Sequence, residues 1–519
     1  MTPSEPDYDA VVIGSGFGGS INALRLAESG KRVLVLERGR RYSPGEFPRD
    51  IRDTNKLFWQ YPRRPQSRGL YEVRFFSGIA AVVASGVGGG SLIYANIHIR
   101  PDPLVFDDPR WPKSINRSTL DPYYDRVAKM LAVAPVPPQI KLVKRDLFQE
   151  AAAKMGRPVF DPDEAVKWGG ASEPGRETCR LCAECEFGCQ YGAKNTLDFN
   201  YLPQAEALGA KIRTGIFVTH IEPAAPGYRV HGVDLETDNA FQITGKRVVV
   251  SAGTLGSNTL LLRSRNREGT LPNISRKLGY GYSGNGDFLG SIQNSRTDLK
   301  PWEGPDVTSV MRFFDAAPQF TLAGPTFNRS VMTVLASLGQ TSGKWARVLS
   351  PLWPCLERLL PWAFRKGILS RPAFLPGPHA GDPSRMTNLF AIGRDNANGR
   401  VSLKNDTLDI DWDYEVENRR LIEKMSAAMH QVADAYGGTF APLATWNIFR
   451  KIITVHSLGG CHLSESPSEG VVSPHGEVHS YPGLFVADGS VIPTSIGFHP
   501  VMTISAVSER IADAVVGSY

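Results

Sequence analysis

The sequence predicts an α/β protein in which a mainly parallel sheet alternates with helices, joined to a second domain built on an antiparallel or mixed sheet. A strand, a glycine turn, a helix and a second strand follow one another in residues 9–37. A strand, a short break and a helix recur at 248–262 and again at 484–515. Residues 388–414 have strand-like composition around the dipeptide Asn398–Gly399, which predicts strands joined by a turn.

The first of these units, YDAVVIGSGFGGSINALRLAESGKRVLVLERG at 8–39, carries the spacing G-x-G-x-x-G in Gly14, Gly16 and Gly19. In this context the motif predicts a Rossmann-type dinucleotide site. Gly14 allows a tight turn, Gly16 lets the backbone approach a pyrophosphate, and Gly19 lets helix and strand pack closely. The helix N-terminus offers free N–H groups to phosphate. Glu37 ends the second strand, where a ribose hydroxyl would be accepted.

A second glycine cluster, Gly86 with Gly88–Gly90, precedes an apolar run. Repeated glycines allow close approach of the backbone to another group, or positive φ angles. We interpret the cluster as a second surface along the same cofactor, and FAD is long enough to need two; the alternative is a flexible loop. The segment at 247–264 resembles the late strand of a flavoprotein Rossmann domain, and this resemblance implies that the small residues Ala252 and Gly253 admit the adenosine half. Val218 is predicted to lie on the strand that touches adenine.

The last unit contains a strand that ends at Asp488–Gly489, and a helix predicted to begin at His499–Pro500 because proline favours the first helical turn. The positive end of that helix would stabilise the negative charge of a reduced flavin. The residues assigned to cofactor binding are Gly14, Gly16, Phe17, Gly18, Gly19, Glu37, Arg38, Gly86, Gly88, Gly89, Gly90, Ser91, Tyr94, Asn96, Val218, Ala252, Gly253, Asp488, Gly489 and Pro500.

Taken in order, these segments resemble the glucose–methanol–choline (GMC) flavin oxidoreductases, and within them the cholesterol oxidase-like branch. The resemblance is carried by GVGGGSL at 86–92, GCQYGAKNTLDFNYL at 188–202, HSLGGC at 456–461 and VADGSVIPTSIGFHP at 486–500. It implies bound FAD, oxidation of an alcohol by hydride transfer to flavin, and two side chains facing the flavin ring, His456 and His499. A neutral imidazole suits the removal of a hydroxyl proton. The alternative is that either residue is a satisfied core histidine.

The segment CRLCAECEFGC holds Cys179, Cys182, Cys185 and Cys189 in the spacing C-x2-C-x2-C-x3-C. This spacing predicts an iron–sulfur cluster, either 3Fe–4S or 4Fe–4S; zinc and plain thiols are the alternatives. A cluster would pass electrons singly to an acceptor protein, which favours a dehydrogenase over an oxygen-using oxidase. A flavoprotein electron carrier without its own substrate is a third class, and the histidine pair argues against it.

Residues 344–371 combine tryptophans and leucines, broken by prolines, with an excess of basic residues. They predict either a roof over an apolar pocket or a peripheral contact with a membrane. Both interpretations favour an apolar alcohol substrate, such as a steroid or terpenoid. The net charge of +6 without a block of like charges argues against nucleic acid.

The sequence has no apolar run near the ~20 residues that span a bilayer. The first strand begins near Asp9, which leaves no room for a signal peptide. We therefore expect a cytoplasmic protein, peripheral at the inner face of the membrane if 344–371 makes that contact.

The predicted division is an FAD domain in three parts, 1–120, 188–298 and 451–519, a connecting segment with the cysteines, 121–187, and a substrate domain, 299–450. A helix from about 416 to 436 is expected to bury Leu421, Met425, Ala428, Met429 and Val432.

Overall fold

The computed structural model describes residues 5–50, 52–171, 173–333 and 382–519. These residues form a seven-stranded sheet, a six-stranded antiparallel sheet and smaller sheets, with helices packed around them. The predicted α/β fold class with a second, antiparallel sheet is confirmed. The segment 344–371, predicted to roof a pocket or touch a membrane, lies outside the described residues. No helix within the described ranges is long and apolar enough to cross a membrane.

The strands are β1 (Tyr8–Ile13), β2 (Val33–Leu36), β3 (Tyr71–Phe75), β4 (Ile79–Ala84), β5 (Ile97–His98), β6 (Val159–Phe160), β7 (Asp163–Glu164), β8 (Lys211–Arg213), β9 (Ile216–Pro223), β10 (Tyr228–Asp234), β11 (Asn239–Val250), β12 (Tyr280–Tyr282), β13 (Phe288–Gln293), β14 (Val310–Phe313), β15 (Phe320–Ala323), β16 (Thr387–Gly393), β17 (Gly399–Lys404), β18 (Thr407–Asp411), β19 (Thr439–Pro442), β20 (Ile452–Thr454) and β21 (Leu484–Val486). The helices are α1 (Phe17–Glu28), α2 (Thr54–Leu57), α3 (Arg117–Met130), α4 (Val143–Lys154), α5 (Tyr201–Ala207), α6 (Gly253–Leu262), α7 (Tyr414–Glu417), α8 (Arg419–Ala435), α9 (Ala444–Phe449) and α10 (Val501–Gly517).

The seven-stranded sheet has the order β8-β2-β1-β11-β10-β9, with β21 beside β11. Its centre is parallel: β1 pairs with β2 and β11, and β11 with β21. These strands are continuous apolar runs. Both faces of a parallel sheet are covered by other elements, here by α1 on one face, so residues pointing to either side are buried. Their carboxyl ends lie at one edge, so the turns after Ile13, Val250 and Val486 come together there.

The six-stranded sheet has the order β19-β13-β16-β15-β14-β6, and every neighbouring pair is antiparallel. The helix predicted at 416–436 covers it in two pieces, α7 and α8, because Asn418 interrupts the ladder and accepts a hydrogen bond from the backbone N–H of Asn396 at 2.9 Å. The five residues predicted for its apolar face are all buried, which confirms that prediction.

The prediction of a turn between strands at Asn398–Gly399 is wrong. Gly399 begins β17, and the Asn398 side chain accepts a hydrogen bond from Trp412 Nε1 at 2.7 Å. The β17–β18 hairpin turns instead at Asn405–Asp406, whose φ angles are 49° and 59°. A two-residue hairpin loop of type I′ needs positive φ at both positions, and Asn and Asp tolerate it.

Candidate active site

The turns after β1, β11 and β21 surround one cavity of about 380 Å³. Most residues predicted for cofactor binding line it: Gly14, Gly16, Phe17, Gly18, Glu37, Arg38, Gly89, Gly90, Tyr94, Val218, Ala252, Gly253, Asp488, Gly489 and Pro500. Five others lie behind this wall rather than in it: Gly19, Gly86, Gly88, Ser91 and Asn96. His456 and His499 line the same cavity.

Three helices begin at this cavity, α1, α6 and α10. Their N-cap residues are Gly16, Ala252 and Pro500, and none of the three supplies a side-chain cap. None of the helices has an acidic residue in its first turn. The first N–H groups of a helix lack partners within it and carry the positive end of its dipole. The cavity wall is therefore suited to anionic groups, such as the pyrophosphate and the reduced flavin ring of FAD.

The two glycine loops are in contact and form a continuous surface. The Ser15 backbone N–H and hydroxyl both donate to the Glu37 carboxylate, at 3.1 and 2.6 Å, and the Gly88 N–H lies 3.1 Å from the same hydroxyl. A Cβ added at Gly89 would lie 2.6 Å from the Cα of Gly16, so only glycine allows this approach. The buried Glu37 thus holds the first loop in place, and its contact with a ribose stays a prediction.

His456 and His499 lie side by side in the cavity wall. Their ring centroids are 5.2 Å apart and their planes meet at 80°. The Phe390 ring stacks on His456 at 5.4 Å and meets His499 edge-on at 6.0 Å. His499 is 5% exposed, and neither of its ring nitrogens has a hydrogen-bond partner among the described residues. Burial, followed by the neighbouring His456, lowers the pKa of His499 well below its usual value, so this ring faces the cavity as a neutral imidazole.

Asp287 contacts His456 and orients its ring, and the sequence did not single this carboxylate out. Its carboxylate is fully buried and lies 2.8 Å from His456 Nδ1. It also accepts hydrogen bonds from the Val455 N–H at 3.0 Å and the Thr454 hydroxyl at 2.9 Å. Burial raises the pKa of Asp287, while His456 and these donors oppose that effect. A carboxylate among donors accepts the Nδ1–H, which leaves Nε2 of His456 as a proton acceptor.

One short loop, Ser283–Asp287, positions both histidines. Asn285 Oδ1 accepts hydrogen bonds from the Ile496 and Gly497 N–H groups at 2.8 and 3.1 Å, and its Nδ2 donates to the Phe498 carbonyl at 2.8 Å. These three bonds fix the turn that ends at His499. The available sequence signal was the run SGNGD, in which short polar side chains alternate with glycines directly after a strand.

The four cysteines of the C-x2-C-x2-C-x3-C segment lie close to one another and beside the cavity. Burial raises the pKa of Cys179 to about 12, and the neighbouring thiols add to the effect. Their sulfurs do not share a site for a single ion, since no three ligand atoms of this loop come within 4.8 Å of one another. A mononuclear zinc site therefore does not fit. Lys194 Nζ donates to the Cys185, Tyr94 and Leu92 carbonyls at 2.8–3.1 Å, which joins the cysteine loop to the second glycine loop.

Sequence profiles described as GMC oxidoreductase match residues 8–279 and 395–508. A cholesterol oxidase of Mycobacterium tuberculosis (strain ATCC 25618 / H37Rv) is 31% identical, over 98% of this chain and 91% of its own length. A cholesterol oxidase of Acinetobacter baumannii is 28% identical, over 98% and 94%. Among solved structures, pyridoxine 4-oxidase from Mesorbium loti has a TM-score of 0.63 at 18% identity, with 98% of each chain covered, which shows a shared fold.

Gly90→Ala tests the cofactor wall. Gly90 lines the cavity, and a Cβ built there meets no protein atom within 4 Å, so the variant is expected to fold normally. The methyl group would occupy cofactor space, and we expect the FAD dissociation constant to rise at least about tenfold. Flavin fluorescence titration of the apoprotein measures it. Gly169→Ala, at a site equally open and outside the cavity, is the matched control. An unchanged FAD affinity in Gly90→Ala would mean that the cofactor does not pass this glycine.

Asp287→Asn tests the proton acceptor. The carboxylate accepts from His456 Nδ1–H with one oxygen and from the Val455 N–H with the other, whereas an amide has one acceptor oxygen, one NH₂ group and no negative charge. We therefore expect kcat/KM to fall by roughly 100-fold or more while FAD stays bound. Asp382→Asn, at an exposed cap, is the control. An unchanged kcat/KM in Asp287→Asn would show that the carboxylate does not act through His456.

Proposed function

We propose that this chain, which belongs to the GMC oxidoreductase family, oxidises a secondary hydroxyl on an apolar, steroid- or terpenoid-like molecule. Family membership makes it an FAD-dependent enzyme that acts on CH–OH groups. The observation that carries the proposal is the His456 ring, whose Nδ1 lies 2.8 Å from the buried Asp287 carboxylate, beside the neutral imidazole of His499 in the cavity wall.

Bound FAD supplies the hydride acceptor for the alcohol carbon. The chain supplies the proton chemistry: His456 Nε2 takes the hydroxyl proton, and the Asp287 carboxylate stabilises the imidazolium that results. Neither nitrogen of His499 has a partner in the part of the chain that the structure describes, so this ring can hold the hydroxyl by a hydrogen bond. The uncapped N-terminus of α10, two residues later, favours the negative charge left on a reduced flavin.

The walls near the histidines support an apolar substrate. Phe390, Val307, Pro325 and Val455 line the cavity there. A polar exception is Glu186, whose pKa is raised well above its usual value by burial and by the neighbouring Asp306, so that it faces the cavity as a neutral acid. Two relatives named as cholesterol oxidases support a bulky cyclic alcohol. Short hydrophilic alcohols would leave this apolar surface in contact with water and would gain little binding free energy from it.

The route by which electrons leave is a separate part of the proposal. We favour exit through an iron–sulfur cluster on Cys179, Cys182, Cys185 and Cys189 to a one-electron acceptor, because the four thiols lie together beside the cavity. None of the relatives or solved structures supports the cluster, and an oxygen-using oxidase without one is the competing candidate. A carrier without its own substrate would not need the Asp287–His456 pair.

Anaerobic reduction of the bound flavin tests the proposed reaction. Cholesterol is expected to bleach the FAD absorbance, with kcat/KM at least about tenfold above that for ethanol. His456→Ala should slow the bleaching by roughly 100- to 10,000-fold and His499→Ala should also remove most of it, both with FAD retained. His475→Ala, at an exposed histidine, is the control. Undiminished bleaching in both variants would show that the pair does not act on the hydroxyl. If cholesterol does not bleach the flavin of the parent chain, the proposal of a sterol-like substrate is wrong.

Cys182→Ser tests the electron route. With a cluster, the parent chain contains three or four irons with labile sulfide. The variant should then lose iron, keep FAD and single-turnover bleaching, and lose steady turnover with a one-electron acceptor. Iron analysis and electron paramagnetic resonance measure this. A parent chain without iron, with turnover intact in the variant and oxygen consumed, would instead identify an oxidase with plain thiols.

A further inference from the structure

We propose that His220, Glu222 and His231 form a Zn²⁺ site on the outer face of strands β9 and β10, separate from the active site. Among the described residues, theirs is the only group of three histidine, cysteine or carboxylate side chains whose ligand atoms all lie within 4.8 Å of one another. Two imidazoles and one carboxylate are a ligand set that suits Zn²⁺.

The strand geometry brings the three side chains together. His220 and Glu222 are two residues apart on β9, so both point to the same face of the sheet. His231 on β10 lies directly opposite His220 in the antiparallel register, and Arg229 lies opposite Glu222. The two imidazole rings are stacked, with centroids 4.2 Å apart and planes within 5°. Neither ring is fully buried, so an ion from solvent can reach the site.

The Thr219 hydroxyl is placed to orient the His220 ring. It lies 3.1 Å from His220 Nδ1 and 3.3 Å from the His231 carbonyl. When the hydroxyl donates to the carbonyl, it accepts from Nδ1–H, and Nε2 of His220 then carries the lone pair. Metal-binding histidines in proteins are oriented in this way, by a hydrogen bond from the other ring nitrogen.

The Glu222 carboxylate is oriented for the same role. Its Oε1 accepts a hydrogen bond from Arg229 at 2.8 Å, and its Oε2 lies 3.1 Å from His231 Nε2. Two ligands of a tetrahedral zinc ion are roughly 3.3 Å apart. The ion would take the place of the proton shared by these two atoms. The lone pair of an imidazole nitrogen lies in its ring plane and the two rings are parallel, so the His220 ring has to rotate out of the stack to complete the set. A water fills the fourth position.

Charges of both signs surround the site. Arg229 pairs with Glu222 at 2.8 Å, and Glu268 and Arg267, which carry opposite charges, lie near His220. Strand β9 also carries Phe217 and Val218, which line the cofactor cavity. A bound ion would therefore brace the strand that the adenosine end is predicted to touch.

Isothermal titration of the FAD-loaded, chelator-treated chain with Zn²⁺ tests the site. We expect one binding event whose affinity falls at least about tenfold in both His220→Ala and His231→Ala. The thermal unfolding midpoint of the parent chain should rise with Zn²⁺, and that of the two variants should not. His430→Ala, which removes an exposed histidine from α8, is the matched control.

The cysteine loop is the competing ligand for zinc, and Cys182→Ser separates the two. Retention of the binding event in Cys182→Ser with its loss in the histidine variants supports the proposal. Co²⁺ adds a spectroscopic check, since thiolate ligation produces an intense charge-transfer band and a His₂–carboxylate set does not. Equal Zn²⁺ affinity in the parent, His220→Ala and His231→Ala chains would overturn the proposal and leave a His–Glu–Arg ion-pair network in its place.

Discussion

The buried carboxylate of Asp395 is the interaction on which the geometry of the active site depends. It accepts hydrogen bonds from the Ser283 hydroxyl and from the N–H groups of Gly284, Gly286 and Ala397, at 2.7–3.1 Å. Burial raises the pKa of Asp395 to about 6, and the four hydrogen-bond donors oppose this effect because they stabilise the buried negative charge. The loop that they hold carries Asn285 and Asp287. The positions of His456 and His499 are therefore both fixed through a residue that touches neither ring.

The arrangement separates the two charges that alcohol oxidation produces. In the proposed reaction, negative charge develops on the flavin beside the uncapped end of α10, and positive charge develops on His456, where the Asp287 carboxylate lies 2.8 Å away. Each charge meets a preorganised partner of opposite sign. Apolar walls exclude water, which strengthens both interactions. Because Asp287 precedes β13 and His499 precedes α10, the two sheets must keep their relative position for this complementarity to hold.

The cysteine loop is joined to the same framework by Lys194. This buried ammonium donates to one carbonyl of the cysteine loop and to two carbonyls beside the second glycine cluster. Burial lowers its pKa to about 8, although the nearby thiols and carboxyl groups oppose that effect. The cysteine loop is thus held at a constant distance from the cofactor wall. Glu186, within the cysteine loop itself, lines the cavity.

The sequence by itself determined the features that depend on neighbouring residues. The βαβ unit with Gly14, Gly16 and Gly19, the helix that starts after Pro500 and the apolar face of α8 follow from local spacing, because turn sterics and helical periodicity act over a few positions. Only the tertiary structure decided which side chains meet across long separations. Asp287 and His456 are 169 residues apart, so their hydrogen bond leaves no local pattern. The hairpin likewise turned at Asn405–Asp406 rather than at Asn398–Gly399, because pairing of β17 with β12 and β18 fixed the strand register against the local preference.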